Sequence, residues 1–263
     1  MIIIGERINT SRKDIAHAVK ARDAKFIKLE ATKQANSGAD FIDVNCGTNI
    51  NSEIEDLKWV AQVVQSEVNL PLCIDSPDPK AIEAVLAVHK GKAFVNSITA
   101  EKQRAEAILP LVKKYDCFVI GLAMGDNGVP VTAEERKEAA AQILKYADSF
   151  GINKEKLYID AVVQPVATDF KQGNEFLKAI GMIKTSLGLK TIAGLSNISF
   201  GLPKRSILNA SFFAMAVCSG LDAAIVDITN PNIYATLRAT HTLSGEDQFC
   251  QKYLSAFRKG RLK

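Results

Sequence analysis

Short apolar, β-branched runs alternate along the chain with longer stretches in which apolar positions recur every three or four residues. The runs cover Ile2–Ile4, Phe41–Asn45, Leu72–Asp75, Ala93–Asn96, Phe118–Ala123, Leu157–Val163, Thr191–Leu195 and Ala223–Ile228. Gly, Pro, Asn, Asp or Ser bounds each one, the pattern of strands buried on both faces. Helix starts are legible between them. Ser52-Glu53-Ile54-Glu55 reads as a capping box ahead of Leu57, Val60, Ala61 and Val64. Thr132-Ala133-Glu134-Glu135 reads as a second, opening a helix to about Phe150. Asp78-Pro79 and Asn230-Pro231 set a cap residue before a proline at the first helical position. Gly151 and Gly220 are helix stops, and a final helix is expected from about Glu246 to Phe257.

Strict alternation of strand and helix implies a parallel sheet. Eight such units, with no linker or low-complexity break, predict a single-domain (β/α)8 TIM-type barrel over residues 1–263, with one extra helix at its C-terminal end. The Gly-x-Gly-x-x-Gly fingerprint is absent, which removes the main support for a dinucleotide fold. With 47% hydrophobic and 24% charged residues, the composition is that of a water-soluble globular protein. The formal charge of +4 is small, and no Lys/Arg run carries interleaved aromatics, so no nucleic-acid partner is expected. The basic stretch Arg258–Lys263 reads as a solvated tail. None of the five cysteines forms Cys-x-x-Cys or has a histidine at metal-ligand spacing, which suits reduced thiols in a cytoplasm. Met1-Ile2-Ile3-Ile4-Gly5-Glu6-Arg7 carries charge too early for a signal peptide. No apolar stretch is long enough to span a bilayer, so no membrane partner is expected.

The predicted strand ends are unusually polar. Strand one runs into Glu6, Arg7 and Asn9, and strand two carries Asp43 and Asn45. Asp75, Asn96 and Asp160 end strands three, four and six; Ser196 and Asn197 end strand seven; Asp227 lies on strand eight. An unpaired polar group inside an apolar strand costs several kcal/mol. One such residue reads as a structural hydrogen bond, with Asp43 bracing its neighbours or Asp227 capping the last helix. A ring of them, where barrel enzymes gather their chemistry, reads as a ligand site. Phosphate calls for Lys, Arg or bare backbone N–H groups, and a metal for clustered His and carboxylates. His17, His89 and His241 all fall in helical patterns and read as surface residues, so no protein-bound metal is expected. Asp and Asn suit a flat heterocycle with several N–H donors and a carbonyl.

Gly194-Leu195-Ser196-Asn197-Ile198-Ser199-Phe200-Gly201, followed by Arg205, resembles the seventh-strand motif of corrinoid-linked folate methyltransferases. The folate domain of cobalamin-dependent methionine synthase carries the same motif. Ile4-Gly5-Glu6-Arg7-Ile8-Asn9, Cys73-Ile74-Asp75-Ser76, Val95-Asn96-Ser97 and Tyr158-Ile159-Asp160 match its other segments in order. The resemblance spans the chain and is strongest to the methyltetrahydrofolate:corrinoid/iron-sulfur protein methyltransferases of the reductive acetyl-CoA pathway. It implies transfer of the N5-methyl group of methyltetrahydrofolate to Co(I) of a corrinoid. It implies that Asp75, Asn96 and Asp160 hold the pterin edge, that Asn197 lies near N5, and that Glu6, Ser196 and Arg205 lie in or beside the site. Asn197, Asp160 and Asp75 are then the candidate catalytic groups, and a homodimer is the implied assembly. Methionine synthase holds its cobalamin with an Asp-x-His-x-x-Gly segment, which is absent here, as is a homocysteine-and-zinc domain. The corrinoid is therefore expected on a partner, such as a corrinoid/iron-sulfur protein. The glycine-containing stretch Met124–Pro130 reads as a surface loop, with a docking rim as the alternative. Two other readings are a dihydropteroate synthase-like pterin enzyme and a non-catalytic folate-binding subunit. The former normally has a Ser-Arg-Lys-like segment where this chain has Ser196-Asn197-Ile198-Ser199.

Overall fold

In the computed structural model, which describes residues 1–48 and 51–262, eight parallel strands close into a barrel in sequence order. The strands are β1 (Ile2–Asn9), β2 (Phe41–Asn45), β3 (Leu72–Asp75), β4 (Phe94–Thr99), β5 (Phe118–Leu122), β6 (Leu157–Asp160), β7 (Lys190–Gly194) and β8 (Ala223–Val226). Around them lie α1 (Lys13–Lys20), α2 (Ala24–Ser37), α3 (Glu53–Glu67), α4 (Pro79–Leu86), α5 (Lys102–Lys114), α6 (Ala133–Ser149), α7 (Gln172–Met182), α8 (Arg205–Cys218), α9 (Pro231–Leu243) and α10 (Gln251–Arg258). Closure is direct: Ile2, Ile3, Ile4 and Gly5 of β1 pair with Ala223 to Val226 of β8.

Local chemistry sets the helix starts. The Thr132 hydroxyl accepts from Glu135 N, and the Glu135 carboxylate accepts from Thr132 N, so this capping box is formed in full. Asp78 and Asn230 accept from the backbone N–H two residues on, each ahead of its proline. Ser52 immediately precedes α3, where its hydroxyl donates to Asp56 at 2.6 Å. Gly151 and Gly220 adopt φ of +69° and +107°, the left-handed turn that glycine makes without strain. The final helix is shorter than its pattern suggests. A 3-10 turn at Gln248–Cys250 precedes it, and Phe249 and Cys250 have positive φ.

The strand limits differ from the apolar runs in an informative way. β1 continues to Asn9, because a register shift against β2 between Gly5 and Ile8 absorbs the polar residues that mimic a loop in the sequence. β6 stops at Asp160, whose carboxylate accepts from Val162 N at 2.7 Å while Val162 turns the chain at φ +59°. β7 ends at Gly194, so Ser196 and Asn197 sit in a 3-10 turn, Leu195–Ser199, and not on the strand. The basic C-terminal stretch is not wholly solvated: Arg261 donates to the carbonyls of Asn36 and Ser37 and lies 3.8 Å over the Tyr234 ring. Of the histidines only His17 is at the surface. His89 accepts from Leu72 N beneath β3, and His241 is buried in α9.

Inward-facing positions recur every second residue along a strand. At the lower level each strand supplies one side chain: Ile4, Phe41, Cys73, Phe94, Ile120, Tyr158, Ile192 and Ala223. Aromatic rings plug this level, with the Phe94 ring 4.9 Å from Phe41, 4.8 Å from Phe118 and 5.0 Å from Tyr158. Two residues further along the same strands the inward side chains become Glu6, Asp43, Asp75, Asn96 and Asp160. The plug is thus a dry floor, and the polar residues stand on it at the C-terminal mouth. Among the described residues, no helix is long and apolar enough to cross a membrane.

Candidate active site

The mouth holds an open cavity of about 670 Å³, a size that suits a small heterocyclic ligand. Glu6, Asp75, Asn96, Asp160, Ser196, Asn197 and Arg205 all line it. Every site residue expected from sequence therefore converges on one space, from β1, β3, β4, β6, the turn after β7 and the start of α8.

The carboxylates differ in how they are held. Asp75 accepts from the Asn45 amide at 2.9 Å, so Asn45 braces the site without lining it. Burial raises the Asp75 pKa, and the Asn45 bond opposes that. Asp43 lies beside it, lines the cavity, and keeps one buried carboxylate oxygen without a partner among the described residues. Burial first, and then the charge of Asp75, pushes Asp43 well up. Asp43 is thus more than a brace for its neighbours. Asp160 accepts from Val162 N at 2.7 Å and from Gly194 N at 3.3 Å. Burial outweighs these bonds and lifts its pKa to about 6. Glu6 accepts from the Ser196 hydroxyl at 3.3 Å. Burial, then the charge of Asp227, pushes it up to about 7.

Asp227 caps no helix. It accepts from Thr229 N at 3.1 Å and from Arg7 at 3.0 Å. Arg7 in turn pairs with the buried Glu30 of α2 at 2.7 Å, and Lys33 reaches Glu30 at 2.6 Å. This chain of charges fixes the β1–β8 side of the mouth. Next to it, after β7, Arg205 donates to the Ser196 carbonyl at 2.6 Å and to the Ser199 hydroxyl at 3.0 Å, tying α8 to the turn that carries Asn197. Asn197 itself is exposed at the mouth, and its side-chain amide makes no hydrogen bond among the described residues.

Several lining residues, Ser97, Arg12 and Asn209 among them, were not singled out as site residues by the sequence pattern. Ser97 joins Asn96 because β4 shifts register against β5 between Asn96 and Ile98, turning two consecutive side chains to the mouth. Arg12 follows the unforeseen extension of β1. Asn209 lies one turn after Arg205 and accepts from Ser199; its i, i+4 spacing from Arg205 on an otherwise apolar helix was the available signal. Among the described residues, no group of three or more His, Cys, Asp or Glu is arranged to hold a metal ion. The Met124–Pro130 stretch forms a turn closed by mutual bonds between Gly125 and Gly128.

Residues 5–227 match the family model described as pterin binding enzyme. The chain is 35% identical to the methylcorrinoid:tetrahydrofolate methyltransferase of Eubacterium limosum, over 100% of this chain and 98% of that protein. It is 28% identical to the methionine synthase of Mycobacterium tuberculosis over 86% of this chain, a stretch making up 20% of that larger protein. Dihydropteroate synthases share the fold. That of Stenotrophomonas maltophilia superposes with a TM-score of 0.70 at 19% identity, covering 94% of this chain and 93% of the other. That of Xanthomonas albilineans gives 0.69 at 18% identity, covering 94% and 92%. At such identities the likeness speaks for the barrel alone. The family match runs from β1 to the end of β8 and a full-length relative stands at 35% identity, so the chain belongs to the pterin-binding enzyme family.

Proposed function

We propose that this enzyme transfers a methyl group from N5 of methyltetrahydrofolate to Co(I) of a corrinoid carried by a partner protein. The observation that carries the reading is the convergence of Asp75, Asn96, Asp160 and an uncommitted Asn197 amide on one cavity open to a large second substrate. In this reading Asp75, Asn96 and Asp160 take the N–H and carbonyl edge of the pterin, and Asn197 faces N5. Cobalt attacks the methyl carbon, the Co–C bond forms, and the N5–C pair returns to nitrogen. An unprotonated N5 leaves as a strongly basic amide anion. A proton or a strengthening hydrogen bond there lowers the barrier, an effect typically worth about 10²–10⁴-fold. Asn197 supplies the hydrogen bond as charge develops, which is stabilisation of the transition state and not of bound substrate. Burial lifts Asp160 to about 6 and Glu6 to about 7, so Glu6 is the carboxyl of this cavity that exchanges a proton closest to neutrality, while Asp160 stays mainly a carboxylate there.

The Eubacterium limosum relative is named for the opposite direction, from methylcorrinoid to tetrahydrofolate. Both directions cross one transition state, so the same contacts serve either. The partner is read as a corrinoid/iron-sulfur protein, and the assembly as a homodimer, on the resemblance of the strand-end motifs. The test is anaerobic mixing of the protein with methyltetrahydrofolate and Co(I) cobalamin. Loss of the Co(I) absorption with appearance of methylcobalamin is expected. No methyl transfer, together with condensation of a pterin diphosphate and p-aminobenzoate, overturns the reading in favour of dihydropteroate synthesis.

A further inference from the structure

A second cavity, of about 730 Å³, opens at the opposite end of the barrel. It lies between α9, α10, the start of β1 and the end of α2, where the helices lead into the strands. Four cations line it, Arg238 from α9, Lys252 from α10, and Lys259 and Arg261 beyond it, with the His241 imidazole between them, its pKa held below the ordinary value by burial. Two acids share the space, and both are occupied. Asp40 accepts from Ile3 N at 2.8 Å, and Glu246 stands 3.7 Å from the Met1 amine and 3.6 Å from His241. Arg238, Lys252 and Lys259 form no ion pair among the described residues, and the hydrogen bonds of Arg261 go to backbone carbonyls and not to a carboxylate.

Two groups on the inner wall are incomplete. Arg238 Nε is sealed from solvent and donates to nothing among the described residues. His241, more than nine-tenths buried, has Nε2 without a hydrogen-bond partner, since 3.6 Å to Glu246 exceeds hydrogen-bond reach. Buried donors are ordinarily satisfied. Here the Arg238 and Arg261 guanidiniums lie 5.0 Å and 3.8 Å over the Tyr234 ring, which fixes both cations at the wall with no carboxylate to neutralise them. An excess of positioned cations, a roomy cavity and orphaned buried donors together describe a receptor for an anion with several oxygens.

We propose that this cavity binds a small phosphate-bearing anion, with Arg238 and His241 as its inner donors and Lys252, Lys259 and Arg261 around its mouth. Guanidinium groups recognise phosphate through paired N–H donors, which favours phosphate over a lone carboxylate. The site is separate from the folate cavity and does not depend on the reaction proposed there.

Calorimetry on the full chain with sodium pyrophosphate, orthophosphate and citrate tests this. Saturable binding of pyrophosphate, or of orthophosphate if a single phosphate suffices, is expected, with citrate weaker. Arg238→Gln should weaken it about ten-fold, the loss of one charge-assisted hydrogen bond. Because Arg238 packs on Tyr234, the exposed pair Lys252→Gln and Lys259→Gln gives a second reading, and it should weaken binding with the circular dichroism spectrum unchanged. Asn197→Ala at the opposite mouth should leave the affinity as it was. Absence of saturable binding overturns the proposal, as does equal binding of citrate. Binding undiminished by Arg238→Gln and by the lysine pair, or abolished by Arg205→Gln, overturns it as well.

Discussion

Glu6 makes a quantitative test of how the mouth is built. In the folded protein its pKa stands at about 7 against an ordinary 4.5, because burial and the nearby Asp227 charge disfavour ionisation. A raised carboxylate pKa means that the folded state holds the proton more tightly than the unfolded chain does. The stability it contributes is complete below pH 4.5 and is lost as pH rises through 7. At about 1.4 kcal/mol per pH unit the full difference is ~3 kcal/mol, and solvent reaching Glu6 at the open mouth screens this to ~2 kcal/mol. Glu6→Gln keeps an acceptor for the Ser196 hydroxyl but can never ionise. At pH 8 the variant should therefore be more stable than the parent by ~2 kcal/mol, or about 4–8 °C in Tm for a chain of this size. The gap should close progressively between pH 7 and pH 4.5. Paired thermal melts of both proteins at half-unit pH steps, without ligand, read this directly. A gap of constant size across that range, or a variant less stable at pH 8, refutes the assignment of a strained, buried Glu6.

Other consequences are separable by assay. Asn197→Ala should lower the methyl-transfer rate by about 10²-fold while folate binding stays within about two-fold, the signature of a contact made in the transition state; equal losses in both would remove Asn197 from N5. Asp75→Ala and Asp160→Ala should raise the folate dissociation constant by at least about ten-fold, since each leaves buried pterin donors unpaired, and unchanged calorimetric binding counts against the pterin pose. Gly121→Ala sets a Cβ 2.7 Å from Ile143 Cγ2 and 3.1 Å from Ile159 Cδ1. With Ile143 on the buried face of α6, this overpacking should cost ~1–3 kcal/mol in urea denaturation.

The barrel was legible because its strands are buried on both faces and its helices carry local signals such as Thr132 to Glu135 and Asp78-Pro79. The limits of the strands were not. Glu6 and Arg7 look like loop residues, but they extend β1, because a register shift against β2 and an ion pair to Asp227 beside the neighbouring β8, both long-range, accommodate them. Ser97 stands within the Val95-Asn96-Ser97 motif, but its place on the mouth was not legible, since nothing near Asn96 announces a register shift against β5. The ring of Asp and Asn was visible as polar residues at apolar strand ends. Its internal ranking was not, because the difference between a bracing Asn45 and a cavity-lining Asp43 lies in which neighbour each one meets. His241 was misread for a similar reason: an amphipathic pattern says where a side chain points, not that the segment carrying Glu246 will fold back beside it.

The charge chain Glu30–Arg7–Asp227 joins residues that lie 220 positions apart in its second link. Glu6 and Ser196, 190 positions apart, meet under the same closure of β1 on β8. During synthesis the N-terminal strand must therefore wait for almost the whole chain before its polar residues find their partners. Until then Arg7 can pair with Glu30 locally, but Glu6 has not met Ser196 and Arg7 has not met Asp227 at the mouth. Such long-range closure is slow, because the loop entropy is spent before the contacts form. A nascent or partly opened barrel thus lacks the assembled mouth. Any event that parts the first strand from the last removes the site before it removes most of the secondary structure.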